Sequence, residues 1–101
     1  MASDLDFVLY ICDQLKSLGR ITYKRMMGEY LIYVNGVYSL AIADNQVFIK
    51  PFKEVVPLLE EVVYAPMYKG AKDSLLITNV DDAAYLSTIV KTVFDLLNKK
   101  K

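Results

Sequence analysis

Apolar residues recur at Leu5, Val8, Ile11, Cys12, Leu15 and Leu18, three or four positions apart, with mostly polar residues between them. That is the spacing of one helical face. Ser3 with Asp6 three residues on resembles a capping arrangement. Gly19 supplies a stop, because glycine tolerates the left-handed angles that end helices. The spacing therefore predicts a helix from Ser3 to Leu18.

After a basic connector, Arg20 to Gly28, the pattern changes. Tyr30 to Val34 is an unbroken aromatic, β-branched and apolar run; Asn35-Gly36 follows, then Val37 to Ala43. Asn-Gly between two such runs is a strong hairpin signal, because both residues accept the positive φ of a type I′ turn. Asp44-Asn45 marks a second reversal, Gln46 to Lys50 reads as a third strand, and Pro51 stops it. Lys53 to Val62 reads as a short helix despite Pro57, which a helix tolerates only in its first turn. Pro66 to Lys72 reads as irregular, Ser74 to Thr78 as a strand, and Val62 to Tyr64 as a short further one. Asp81 or Asp82 caps a last helix whose apolar stripe is Leu86, Ile89, Val90, Val93, Phe94 and Leu97. The order α-β-β-β-α-β(β)-α predicts an α+β, two-layer domain over residues 1–101, an antiparallel meander packed against the N- and C-terminal helices.

A two-residue loop at Asn35-Gly36 pairs Val34 with Val37, Tyr33 with Tyr38 and Leu31 with Leu40. Side chains alternate along a strand, so one face gathers Leu31, Tyr33, Tyr38, Leu40, Ile42, Val47 and Ile49, the natural seat for the helices. The opposite face then holds Tyr30, Ile32, Val34, Val37, Ser39, Ala41 and Phe48. An ordinary half-solvated sheet is polar on its second face, whereas this one is apolar on both. An uncovered patch of that kind marks an interface. A homodimer or hetero-complex through Ile32, Val34, Val37 and Phe48 is expected, unless the Pro66–Lys72 loop or the middle helix folds over that face.

Composition narrows the chemistry. With 101 residues, 54% apolar and 24% charged, the chain suits one folded domain and excludes intrinsic disorder. Lys plus Arg (12) balance Asp plus Glu (12), so no global field attracts nucleic acid or membranes. There is no histidine, which removes a Ser-His-Asp triad, a His-assisted thiol and a His-ligated metal. Acids near the N-terminus stand where a signal peptide carries positive charge, and no run approaches a transmembrane span, so a cytoplasmic location is expected.

The segment Tyr23-Lys24-Arg25-Met26-Met27-Gly28-Glu29-Tyr30, continuing Leu31-Ile32-Tyr33-Val34-Asn35-Gly36, resembles the signature of the TfoX N-terminal domain family. Val47-Phe48-Ile49-Lys50-Pro51 and Pro66-Met67-Tyr68-Lys69-Gly70-Ala71-Lys72 match later segments of that family in order and spacing. Departures are Met27 for the usual Phe, Leu31 for a usual Gly, and Lys69 for a usual Pro. The resemblance implies a fold similar to secretion chaperones and kinship with regulators of natural competence. In those regulators a second, helical domain usually follows, so a single-domain version is expected here.

Among candidate sites, Met26, Met27, Gly28, Glu29 and Tyr30 form a signature loop for recognition, or a plain junction in which the Met pair fills the core end. Cys12 shares the helix face of Val8 and Leu15 and reads as a small hydrophobe, not a nucleophile. Glu60-Glu61 and Asp81-Asp82 read as a solvated face and a cap, not as paired catalytic acids. A basic, tyrosine-interleaved arc runs through Arg20, Tyr23, Lys24, Arg25, Lys50, Lys53, Tyr64, Tyr68, Lys69 and Lys72. Within it, Arg20, Lys24, Arg25, Lys69 and Lys72 are candidate nucleic-acid contacts, by phosphate neutralisation beside aromatic stacking. The expectation is a non-enzymatic protein-interaction or regulatory module with a protein partner or a second copy of itself, no cofactor, no metal and no membrane. A small nucleic-acid-associated protein is the second reading.

Overall fold

A computed structural model describes residues 4–26 and 28–99; Ser3, Met27, Lys100 and Lys101 lie outside them. The chain is α+β: a six-stranded antiparallel sheet with an N-terminal and a C-terminal helix. The first helix, α1, spans Leu5–Gln14 and buries Val8 and Ile11; Leu15 extends the same stripe into a 3₁₀ turn, Lys16–Leu18. Asp4 stands at the N-cap, and its N–H donates to Asn45 Oδ1 at 2.9 Å, tying the helix start to a strand turn.

The strands are β1 (Ile21–Met26), β2 (Glu29–Val34), β3 (Val37–Ala43), β4 (Gln46–Ile49), β5 (Tyr64–Pro66) and β6 (Asp73–Ile77), in sheet order β1-β2-β3-β4-β6-β5. Both tight turns have the geometry their residues suggest: Asn35 and Gly36 lie at φ 49° and 83°, Asp44 and Asn45 at φ 53° and 56°. The short further strand lies at Tyr64–Pro66 instead of Val62 to Tyr64, and the first helix gives way to a 3₁₀ turn after Gln14; two elements differ in kind from the sequence reading. The basic connector is largely strand β1, an exposed edge that pairs with β2 from Ile21↔Val34 to Met26↔Glu29. No helix occupies Lys53 to Val62; a 3₁₀ turn at Val56–Leu58 stands there, with Val55 fully buried as its anchor. Pro57 lacks the N–H that a longer helix would need at the next turn.

The second helix, α2 (Ala83–Lys99), begins at Asp82, whose Oδ1 accepts the Tyr85 N–H at 3.1 Å. It buries Leu86, Ile89, Val90 and Val93, while Phe94 and Leu97 are partly buried against the same core. Tyr10 donates to Asp81 (2.7 Å), Gln14 Nε2 to the Val80 carbonyl (2.8 Å) and Ser87 to the Gln14 carbonyl (3.1 Å), which lock α1 beside α2.

Both helices cover one face of the sheet. The core joins their stripes to Tyr30, Ile32, Val34, Leu40, Ile42, Val47, Ile49, Leu75 and Ile77. On β2 this is the opposite set from the one expected, and the cause is a bulge. Counting back from the turn, Val34↔Val37 and Tyr33↔Tyr38 hold, but Ile32 then pairs with Leu40, leaving Ser39 as an extra residue. Ser39 Oγ turns back on the Val37 carbonyl at 3.0 Å, which satisfies the hydroxyl at a buried position. One inserted residue reverses the faces: Leu40 and Ile42 remain core, and their partners become Ile32 and Tyr30 instead of Leu31 and Glu29.

Candidate functional site: the helix-free sheet face

Alternation from the core positions defines the other face. Leu31, Ala41, Phe48 and Leu76 lie side by side across β2, β3, β4 and β6, paired in that order. Tyr33 and Tyr38 sit next to them, ring centroids 6.0 Å apart. Met26 and Glu29 continue the face on β1 and β2. Leu31, Tyr33 and Leu76 are half-buried and Tyr38 is 36% exposed, whereas Phe48 is 3% exposed without belonging to the helix-side core.

Phe48 and the β5–β6 connection border one cavity. This cavity of about 450 Å³ is lined by Tyr38, Phe48, Lys50, Met67, Tyr68 and Lys72 among others. The Pro66–Lys72 loop thus borders this face at its β4 end, while the β2–β3 end carries no helix. Burial, then the negative charge of Glu29 and the neighbouring Tyr33, push the Tyr38 hydroxyl above its ordinary range. Tyr38 is a neutral hydrogen-bond donor at physiological pH.

The interaction face expected at Ile32, Val34, Val37 and Phe48 is divided by the sheet. Ile32 and Val34 are fully buried under the helices, Val37 pairs with Val34 on that side, and Phe48 points the other way. The Ser39 bulge is the reason, and the residues that replace them on the open face are Leu31, Tyr33, Tyr38 and Leu76. A short polar residue inside the apolar run Val37 to Ala43 was the signal that could have located the bulge.

The signature loop is also divided. Gly28 (φ 85°) allows the tight β1–β2 turn that brings Met26 opposite Glu29. Met26 is exposed at the sheet edge, Tyr30 is core and packs edge-on against Tyr23 at 5.9 Å, and Met27 lies outside the described residues. The basic arc does not close into one patch. Arg20, Lys24 and Arg25 belong to the β1 edge; Lys69 and Lys72 belong to the β5–β6 loop at the other edge. Strand spacing separates these edges by roughly 20 Å. Lys24 shares the open face, whereas Arg25 pairs with Tyr30 and points to the helix side.

The remaining candidates have structural partners. Cys12 is half-buried and its thiol is pushed up by burial, which disfavours the reactive thiolate. Glu60 accepts from Asn79 Nδ2 at 3.2 Å, and Asp81 and Asp82 serve Tyr10 and the helix cap. Among the described residues no three Asp, Glu or Cys side chains gather where they could hold a metal ion. No described helix is long and apolar enough to cross a membrane.

Comparison with known proteins adds two findings. Residues 13–89 match the TfoX N-terminal domain. An uncharacterised 12.7 kDa protein encoded in the trpE 5′ region of Spirochaeta aurantia is 30% identical over 84 residues, covering 83% of this chain and 73% of its own length. The matched span takes in every strand, the β5–β6 connection and the start of α2.

Proposed function

Since the chain belongs to the TfoX N-terminal domain family, we propose that it is a non-enzymatic, cytoplasmic regulatory module related to competence regulators that works by protein–protein contact through its helix-free sheet face. The observation that carries this reading is the apolar strip of Leu31, Tyr33, Tyr38 and Leu76, which no helix covers. Partly exposed apolar and aromatic side chains gathered on one sheet face are costly to leave in water and characterise binding surfaces. Tyrosines suit such a role, because each offers a large apolar ring with a polar tip. A second copy of the chain is one partner this surface would accept; a different protein is the other.

The test is a photo-crosslinking amino acid placed at position 33, on the open face, and at position 88, on the exposed side of α2, in the native host. Crosslinks from position 33 to a discrete protein, or to a second copy, with none from position 88, support the reading. Crosslinks to nucleic acid from position 33, or equal crosslinking from both positions, overturn it. Light scattering on the purified protein separates self-association from a foreign partner: Leu31→Glu returns a homodimer to monomer and leaves the melting temperature nearly unchanged.

A further inference from the structure

The cavity beside Phe48 has a chemistry of its own, although Tyr38 belongs both to it and to the apolar strip. Its volume of about 450 Å³ falls inside the range of small-molecule sites, roughly 300–1,000 Å³. Its walls are mainly apolar and aromatic: Phe48 from β4, Tyr38 from β3, and Met67 and Tyr68 from the β5–β6 loop.

Two cations complete it. Lys50 directly follows the last residue of β4 and Lys72 directly precedes the first residue of β6, so the antiparallel pairing of these strands puts both at the same end of the sheet. Both lysines line the cavity. The ion pairs among the described residues are Lys16–Asp13 and Lys91–Asp95, so neither ammonium is neutralised by a carboxylate. Asp73, which pairs with Pro66 at the start of β6, also lines the cavity, so its wall carries two cations and one carboxylate.

We propose that this cavity is a binding site for a small aromatic carboxylate, its ring held among Phe48, Tyr38 and Tyr68 and its carboxylate between Lys50 and Lys72. A bare inorganic anion would leave the apolar walls unused, and a neutral hydrocarbon would leave the two ammonium groups unused. Aromatic walls favour a flat ring, which stacks or meets them edge-on, over a flexible chain that loses rotamer freedom on binding. Tyr38 adds a hydroxyl donor. This site goes beyond the protein-contact reading; the two share Tyr38, and they are told apart because the titration reads Lys50, Lys72 and the β5–β6 loop, which the crosslinking test does not.

Amide chemical-shift titration of the ¹⁵N-labelled protein tests it, with 2-naphthoate as the probe and 2-naphthalenemethanol, octanoate and inorganic phosphate as comparisons. Expected are saturable shifts at Phe48, Lys50, Tyr68, Ala71 and Lys72 with naphthoate, and weaker binding of the other three. Lys50→Met and Lys72→Met each weaken naphthoate about two- to fivefold, the scale of an exposed charge pair, with the remaining spectrum unchanged. Both lysines are exposed, so these variants keep the fold. The proposal is overturned by no saturable shift up to about 10 mM, by equal affinity for the alcohol, by octanoate or phosphate binding as well as naphthoate, or by indifference to both lysine variants.

Discussion

Asn35 joins two strained or tightly fitted positions, and replacing it gives a worked test of the turn. It sits at φ 49°, its N–H donates to the Arg20 carbonyl at 2.8 Å, and its Oδ1 accepts the Arg20 N–H at 2.9 Å. Asn35→Ala leaves the backbone bond but removes the side-chain acceptor. That hydrogen bond is exposed, so water replaces it and the loss is about 0.5–1 kcal/mol. Alanine in the left-handed region costs about 1 kcal/mol more. The total is about 1.5–2 kcal/mol, or roughly 6–15 °C in melting temperature for a domain of this size. Asn35→Gly loses the same hydrogen bond without the φ cost, and falls by only about 0.5–1 kcal/mol. Urea midpoints and thermal melts of the two variants separate the contributions. If Asn35→Ala is no worse than Asn35→Gly, the positive φ is not a source of strain and the type I′ assignment fails. The same side chain lies against Gly19 (φ 136°), where an added Cβ would come within 2.6 Å of Asn35 Oδ1. Gly19→Ala therefore costs both backbone strain and a clash, and Asn35→Ala relieves the clash. The double variant should lose less than the sum of the single losses, and strict additivity would contradict the contact.

Three further outcomes follow from the burial and charge pattern. Ile32→Ala should cost about 2–5 kcal/mol, as a fully buried aliphatic does, and Leu31→Ala clearly less; equal losses by urea denaturation would contradict the bulge-shifted faces. Asp82→Ala removes the cap on the Tyr85 N–H and should lower stability by about 1 kcal/mol; Asp82→Asn, which can still cap, should recover most of it, and failure to do so would dismiss the cap as the cause. Tyr10 is raised above the ordinary tyrosine range first by its hydrogen bond to Asp81, and Tyr38 first by burial. The neutral form is the one the fold favours, so their contribution is fully present below about pH 10 and is lost as pH rises through the folded values. Denaturation midpoints should fall at alkaline pH, less steeply in Tyr38→Phe, and a profile flat beyond that point would refute the assignment.

How much of this could be read from the residues depended on whether the signal was local. Asn35-Gly36, Asp44-Asn45 and the Asp82 cap are short-range devices whose residue types fix backbone angles, and each appears where its residues stand. The stripes of α1 and α2 were legible for the same reason: a period of three to four needs no knowledge of the partner. β1 was not legible, because Lys24 and Arg25 make Ile21 to Met26 look like a polar connector. Charges on an edge strand are a normal way to keep unpaired backbone from pairing elsewhere. The face assignment failed on one residue, Ser39: a bulge is decided by how two strands twist and pack, and the alternation rule amplifies the error along the whole of β2. The Phe48 cavity depends on bringing Lys50 and Lys72, 22 positions apart in the numbering, to the adjoining ends of neighbouring strands, which the β4–β6 pairing achieves.

The chain order of the core has a consequence for synthesis. Residues 21–49 form a meander of adjacent strands joined by tight turns, so these pairings can arise as soon as that stretch emerges, while β6 and α2 come later. In the interval Ile32, Leu40, Ile42 and Val47 have α1 as their sole helical cover, because Leu86, Ile89, Val90 and Val93 are still being translated. The half-made sheet then exposes apolar side chains on both of its surfaces at once. Completion waits on the last helix, so the nascent form has a stickiness that the finished molecule has on one side only. Early termination within α2 would leave a species drawn to aggregation or to chaperones, even with every strand in place.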